Sequence, residues 1–177
     1  LEVAESVDVL AGGGPADVVE LTLLLARQML ELVGIDADPA EAIASGRAMD
    51  HWRRMIRAQG GDPDAPLPQA PIVETLTADR DGIITRCDAL AIGRAAWRLG
   101  AGRATKDDPV SASAGIEVLA KPGDEVRAGD LLLRLHAENA ARLEAALPLL
   151  VGPEPAVVVS PPGTAYSRLP LVVDIID

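Results

Sequence analysis

The sequence predicts an α+β protein in which a helical segment precedes a small mixed or antiparallel sheet. Up to residue 61 the apolar residues recur with helical spacing, and after residue 71 their period shortens to that of strands. Between these parts lie four prolines in ten residues, which favour an extended, stiff connector over a helix. We therefore expect a helical segment over residues 1–61, a connector over residues 62–71 and an α+β domain over residues 72–177.

The helical segment contains several short helices and one long one. Residues 2–10 form an amphipathic helix that ends at a glycine-rich break, and residues 47–59 form another that ends at Gly60 and Gly61. Asp38 followed by Pro39 is typical of a helix start. In residues 16–33 the apolar side chains fill two adjoining stripes, so we expect this helix to be buried on more than half of its circumference.

The second part alternates strands with short helices. Residues 72–77 and 83–87 are predicted strands joined by the tight turn Asp79-Arg80-Asp81-Gly82. Further strands are predicted over residues 116–120, 131–136, 157–159 and 171–176, and helices over residues 89–99 and 138–147.

Composition excludes several classes of function. The 177 residues carry a net charge of −11, whereas binding to nucleic acid requires a positive surface, so we expect no nucleic-acid partner. No apolar run approaches the roughly 20 residues that span a bilayer, so we expect no membrane association. The single cysteine, Cys87, allows no intrachain disulfide and fits a reducing cytoplasm.

No complete catalytic motif is present. The sequence has no HExxH, CxxC, GxSxG, P-loop or dinucleotide fingerprint. His51 is interpreted as a partly exposed surface imidazole, His136 as a structural hydrogen-bonding group and Cys87 as a small core residue. The sequence therefore indicates no self-sufficient active site.

A glycine-rich loop over residues 100–109 is the most unusual local feature. Gly100 and Gly102 allow a close approach of the backbone, and Arg103, Thr105 and Lys106 can contact an anion or a facing part of the protein. On residue types alone a solvated surface loop remains the alternative.

A repeated Gly-Asp pair gives a second signature. Gly123-Asp124 recurs six residues later as Gly129-Asp130, on either side of an inward valine, and this resembles the hammerhead turn of biotinyl and lipoyl domains. The resemblance implies a barrel-sandwich-like fold and leaves open a structural or carrier module that lacks catalysis. A carrier needs a lysine at a hairpin tip, and the two lysines are Lys106, in the glycine-rich loop, and Lys121, before the first pair.

The ordered set of motifs resembles the pyrimidine-nucleoside phosphorylases, the thymidine phosphorylase family. The opening Leu-Glu-Val-Ala-Glu, the helix from Ser45 to the Gln-Gly-Gly-Asp stop, the stretch from Asp88 to Pro109 and the Gly-Asp turns follow the family's order. The chain would be its C-terminal part, containing outer helices of the α/β lobe and then the C-terminal α+β domain. The opening at Leu1 rather than Met fits a cut chain.

The resemblance implies a pentosyltransferase of nucleoside salvage. Phosphate would cleave thymidine to thymine and 2-deoxyribose 1-phosphate in a cytoplasmic homodimer that closes its two lobes over the substrate. The family's phosphate-binding, base-binding and dimer-forming residues belong to the N-terminal part, so no catalytic residue is expected here and this chain alone is predicted to be inactive. The loop with Gly100, Gly102, Arg103, Thr105 and Lys106 would face the cleft and stabilise closure.

One ligand position is also implied by the resemblance. Family members of the bacterial type hold a monovalent cation, expected to be potassium, through backbone carbonyls and a glutamate of the opening segment, and Glu5 occupies that position. An exposed helical carboxylate is the alternative interpretation of Glu5. No other cofactor is expected.

Overall fold

A computed structural model describes residues 1–103 and 105–176. Two compact units are present, one formed by Pro68–Leu169 with Leu1 and the other by Glu2–Leu67 with the residues from Pro170 onward. The division between Leu67 and Pro68 lies inside the proline-rich stretch. The domain bounds 1–61, 62–71 and 72–177 stay a prediction.

The helical unit consists of α1 (Glu2–Leu10), α2 (Ala16–Leu32), α3 (Pro39–Ala44) and α4 (Arg47–Ala58). The Asp38 carboxylate accepts the Ala40 N–H at 3.0 Å, which confirms the predicted start of α3. After α4 the chain turns at Gly60, where φ is 81°. The Gly61 N–H donates to the Ile56 carbonyl at 2.9 Å and completes the helix end.

The burial predicted for α2 is wrong for this chain. None of its residues is buried, and Leu25 and Met29 are 50% and 66% exposed. The pattern correctly gave the helix and its apolar stripes, but periodicity says only that a surface is apolar. The periodicity of a helix does not show which other part of the protein covers its apolar surface.

The described residues of the α+β unit form six strands, two α-helices and two helical turns. The strands are β1 (Ile72–Thr77), β2 (Gly82–Cys87), β3 (Gly115–Val118), β4 (Glu125–Val126), β5 (Leu131–Ala137) and β6 (Val157–Ser160). Helices α5 (Ala89–Ala96) and α6 (Ala140–Ala146) are capped by the carboxylate of Asp88 and the amide oxygen of Asn139. A π-type turn (Trp97–Ala101) extends α5 and a 3₁₀ turn (Leu147–Leu149) extends α6.

The strands form two antiparallel three-stranded sheets, in the orders β1-β5-β3 and β4-β2-β6. This confirms the α+β class with a small antiparallel sheet, here divided in two. Ile84 of β2, Leu133 and Leu135 of β5 and Ala95 of α5 belong to one buried cluster, so both sheets share a core with the helices.

The two predicted strands β1 and β2, which are joined by the turn at Asp79–Gly82, do not pair with each other. β1 pairs with β5, and β2 pairs with β4 and β6. The buried Ala78 instead exchanges backbone hydrogen bonds of 2.9 Å with Gly129 and Asp130. The Asp79–Gly82 segment thus connects the two sheets. The backbone of Ala78, just before this segment, bonds to residues about 50 positions later in the chain and not to β2.

The two Gly-Asp pairs form two equivalent turns. In each, the glycine has a φ of 93° and the aspartate carboxylate accepts the backbone N–H three residues earlier, at 2.7 Å for Asp124 and 2.8 Å for Asp130. Gly123 bonds back to Ile84 just as Gly129 bonds back to Ala78. The six-residue repeat in sequence is therefore a repeat in hydrogen bonding, and positive φ explains both glycines.

The strand predicted over residues 171–176 is not formed. No pairing places this segment in either sheet, and Val173 and Ile176 are 83% and 91% exposed. The two-residue strand β4 was not predicted, because a strand of that length leaves no periodic signal.

Candidate functional site: the glycine-rich loop

The loop begins at the end of α5, where the α-helix changes to a π-type turn. The turn Trp97–Ala101 follows α5 directly, and Gly100 adopts a φ of 116° inside it while fully buried. A β-carbon at Gly100 would lie 3.1 Å from Nη1 of Arg142 on α6 and 3.4 Å from Cβ of Ser111. Its positive φ therefore requires glycine at position 100, whereas the Arg142 guanidinium is the mobile end of a side chain that can shift.

Gly102 has a different reason. Its φ is extended, but an added β-carbon would lie 2.7 Å from Cδ1 of Trp97. Trp97 in turn carries Arg98 over its ring, with Cζ 4.5 Å from the centroid. The local structure of this domain therefore explains both glycines, and neither is evidence that a ligand approaches the backbone.

The polar side chains of the loop bond within it. Arg103 donates from Nη1 to the Lys106 carbonyl at 3.1 Å, and the Asp108 carboxylate accepts the N–H and hydroxyl of Thr105 at 2.9 Å and 2.8 Å. Lys106 is exposed. Hydrogen bonds within the loop thus form an internal staple between Arg103 and Lys106 and between Thr105 and Asp108. The Lys106 ammonium and the Arg103 guanidinium belong to exposed residues.

A shallow groove of about 410 Å³ runs along the loop. Trp97, Arg98 and Asp108 line it on the loop side, and Arg142 lines it on the α6 side. Two guanidinium groups near one carboxylate suit an anionic or polar contact more than an apolar ligand. Of the expected loop residues, Gly102 lines this groove, Gly100 is buried, and Arg103, Thr105 and Lys106 lie outside its lining. Sequence reasoning missed Arg98 and Arg142, although the Trp-Arg pair before Gly100 was an available signal.

A charge cluster lies on β3 and β5. Glu117 Oε1 lies 2.6 Å from His136 Nε2, and its two oxygens lie 3.2 Å and 3.1 Å from Nη1 of Arg134. Burial opposes ionisation of Glu117, but the hydrogen bonds from His136 and Arg134 outweigh it and hold its pKa below the ordinary value. His136 is buried, so the prediction of a structural hydrogen-bonding group is confirmed.

His51 is placed as expected, whereas Cys87 lies outside the buried core and is not the small core residue that was predicted. Cys87 is half-buried in β2, where burial and the neighbouring Asp88 raise the pKa of its thiol. A protonated thiol is a poor nucleophile. His51 is exposed on α4, with its ring beside the guanidinium of Arg54.

An apolar cleft of the α+β unit offers no catalytic group among its described lining residues. It measures about 370 Å³ and is lined mostly by aliphatic residues of β1, β5, β6 and the segment after α6. Its charged lining residues are Asp79 and Arg80, which pair with each other at 2.6 Å. The hydrogen bond from Arg80 lowers the pKa of Asp79, so this carboxylate is not poised to take up a proton near neutrality.

The remaining predicted residues are the cation ligand Glu5 and the two lysines. Glu5 is an exposed residue of the first turn of α1. Across residues 1–103 and 105–176, no group of three or more His, Cys, Asp or Glu side chains could hold a metal ion. Lys121 lies at the start of the first Gly-Asp turn, and Lys106 lies in an irregular loop rather than at a hairpin tip. No helix in the described part of the chain is long and apolar enough to cross a membrane.

Comparison with known proteins identifies the domain. Residues 83–152 match the family model of the pyrimidine nucleoside phosphorylase C-terminal domain. The chain is 50% identical over 153 residues to a thymidine phosphorylase of Mycobacterium tuberculosis, covering 86% of this chain and 36% of that protein. It is 39% identical over 151 residues to a pyrimidine-nucleoside phosphorylase of Staphylococcus aureus, covering 78% of this chain and 35% of that protein. The matched part thus spans about a third of these relatives' length.

Proposed function

The chain belongs to the pyrimidine nucleoside phosphorylase family, and we propose that it is the C-terminal part of an enzyme that cleaves thymidine or a related pyrimidine nucleoside with phosphate. The observation that carries the proposal is the 50% identity to a thymidine phosphorylase across 86% of the chain. The carrier alternative has no comparable support, since neither lysine lies at a hairpin tip.

The proposed reaction is a pentosyl transfer. A phosphate oxygen bonds to the anomeric carbon while the bond from that carbon to the pyrimidine nitrogen breaks. The electron pair of the broken bond stays on the base, which takes up a proton and leaves as thymine, and the sugar leaves as 2-deoxyribose 1-phosphate. Catalysis then requires groups that stabilise phosphate and the departing base.

This chain supplies support rather than chemistry. Among the described side chains, the charge cluster around Glu117 is partly exposed and internally paired. We assign the catalytic groups to the remaining part of the parent polypeptide. Homodimer formation in the cytoplasm and a potassium ion held in part by Glu5 belong to the same proposal.

Activity measurements test the division of labour. The parent enzyme should release thymine from thymidine in the presence of phosphate, and this 177-residue chain alone should release none above background. Uridine as a parallel substrate distinguishes a thymidine-specific enzyme from a broader one. Turnover by this chain alone would contradict the assignment, and no turnover by the parent on either nucleoside would overturn the proposed function.

The glycine-rich loop is proposed to stabilise the closed enzyme. Its internal staple fixes its shape, and Arg103 and Lys106 lie at its surface for contact with a facing lobe. In the parent, Arg103→Ala and Lys106→Ala should lower kcat/KM about tenfold while the melting temperature changes little.

The matched control is Arg94→Ala, an exposed arginine of α5 outside the loop. It should keep the kcat/KM of the unaltered parent. Unchanged kinetics in both loop variants would make the loop a simple connector.

A further inference from the structure

The C-terminal tail, residues 170–176, has the composition of a strand. Five of the six residues from 171 to 176 are aliphatic and four of those are β-branched, with Asp174 as the one charge. Such residues favour strands and are seldom left in water as a continuous run. The tail therefore strongly favours a β-strand, but it pairs with neither sheet of the structure.

In the structure the tail is apolar, exposed and unpaired. Val173 is 83% exposed and Ile176 is 91% exposed. No ladder pairs the described tail residues with either sheet, and the hydrogen bond found there joins the Ile175 N–H to the adjacent Asp174 carboxylate. A row of free N–H and C=O groups flanked by apolar side chains is a template for strand addition.

Arg168, just before the tail, is hydrogen-bonded to the α+β domain. Arg168 donates from Nη2 to the Asp124 carboxylate at 2.6 Å and from Nε to the Pro122 carbonyl at 3.2 Å. The compact α+β unit ends one residue later, at Leu169, and the residues from Pro170 onward are grouped with the helical unit. The tail thus leaves the α+β domain from an anchored position on the first Gly-Asp turn.

We propose that the tail is a β-strand that adds to the open edge of a sheet in the N-terminal part of the same polypeptide, and that it thereby fastens the C-terminal domain to the catalytic part. The proposal rests on the proposed function, in which this chain is the C-terminal part of a longer enzyme. The relatives extend well beyond the third of their length that this chain matches, so they have the additional chain to supply such an edge. Main-chain hydrogen bonds would give the attachment and the aliphatic side chains its specificity.

The exposed helix α2 favours the same partner. Its apolar side chains lie in the helical unit, with which the tail is grouped. The remaining part of the parent covers both surfaces with one partner.

Hydrogen exchange of the tail amides tests the proposal. In the parent enzyme, exchange over residues 171–176 should be slowed at least about 100-fold relative to this 177-residue chain, since strand pairing protects amides. Val173→Pro, which removes a donor and breaks the strand, should abolish the protection in the parent. Val173→Thr keeps a β-branched side chain and should preserve it.

The possible results distinguish the tail proposal from the proposed function and from self-association. Fast exchange of the tail in a parent that retains thymidine phosphorolysis would overturn the tail proposal and leave the proposed function intact. A protected tail in a parent without phosphorolysis would do the reverse. Protection of the tail in this chain alone that rises with protein concentration would identify a second copy as the partner and also overturn the proposal.

Discussion

The two compact units contain similar amounts of aliphatic sequence but bury it very differently. The α+β unit encloses fully buried side chains, among them Ile84, Leu99, Leu133 and Leu135. In the helical unit the buried apolar residue among those described is Val9, and α2 has none. One unit has closed its own core, whereas the other presents an apolar surface that stays open in this chain.

The difference follows from connectivity. In the α+β unit, β1 meets β5 and β2 meets β6 across more than 50 residues of chain, so the sheets bring distant apolar segments together. In the helical unit, four helices joined by short loops contact each other at few points. A helix with apolar side chains around most of its surface needs neighbours on both sides, and α2 lacks them here.

The largest expected effect is the loss of a core side chain in the α+β unit. Leu135→Ala removes a fully buried side chain and should lower the free energy of unfolding of this unit by about 2–5 kcal/mol. Leu25→Ala, at a position that is half exposed on α2, should change stability by no more than about 0.5 kcal/mol. Denaturant unfolding followed by circular dichroism compares the two. Equal losses would mean that the helical unit also closes a core in this chain.

A smaller effect separates steric overlap from backbone strain. A β-carbon at Gly82 would overlap the carbonyl oxygen of Ser160 on the neighbouring strand β6, so Gly82→Ala should cost about 3 kcal/mol. Gly129 has a φ of 93° but open space around it, so Gly129→Ala should cost only about 1 kcal/mol of strain. Thermal unfolding gives the order. If Gly129→Ala proved the more damaging, strain in the Gly-Asp turn rather than close strand packing would dominate.

The smallest effect concerns pH. The pKa of Glu117 is lowered from its ordinary value of 4.5, so its ionic contacts stabilise the fold above about pH 4.5 and this contribution is lost as pH falls through the folded-state pKa. Glu117→Gln should therefore cost stability at pH 7 and progressively less in acid. Because a third of the side chain is exposed, the loss at pH 7 should stay below about 1 kcal/mol. A difference between the two proteins that grows in acid would contradict this sign.

Sequence reasoning predicted the local elements well and their partners poorly. The start of α3 at Asp38, the glycines of the two Gly-Asp turns and the strands around Ile84 and Leu133 follow from residue chemistry within a few positions. The pairing of Ala78 with Gly129 and Asp130 does not, because it depends on chain about 50 residues away. The sequence therefore predicts the turn at Asp79 but does not show that the two strands it joins belong to different sheets.

The candidate site shows the same limit. The glycine-rich loop was identified from its composition, but the positive φ of Gly100 and the close contact of Gly102 with Trp97 account for its glycines. Sequence spacing cannot show that α6, some 40 residues later, lies against Gly100. The tail at residues 171–176 was predicted as a strand from its β-branched residues, and that preference finds no partner in this chain.

Amide hydrogen exchange of this 177-residue chain tests most directly whether one unit is closed and the other open. Amides of β5, whose side chains Leu133 and Leu135 are fully buried, should exchange only through unfolding of the whole α+β unit. Amides of α2, whose side chains are all at least partly exposed, should exchange at least about 100-fold faster through local opening. Equal protection of β5 and α2 would contradict the account, because it would show that the helical unit is as well closed as the sheets.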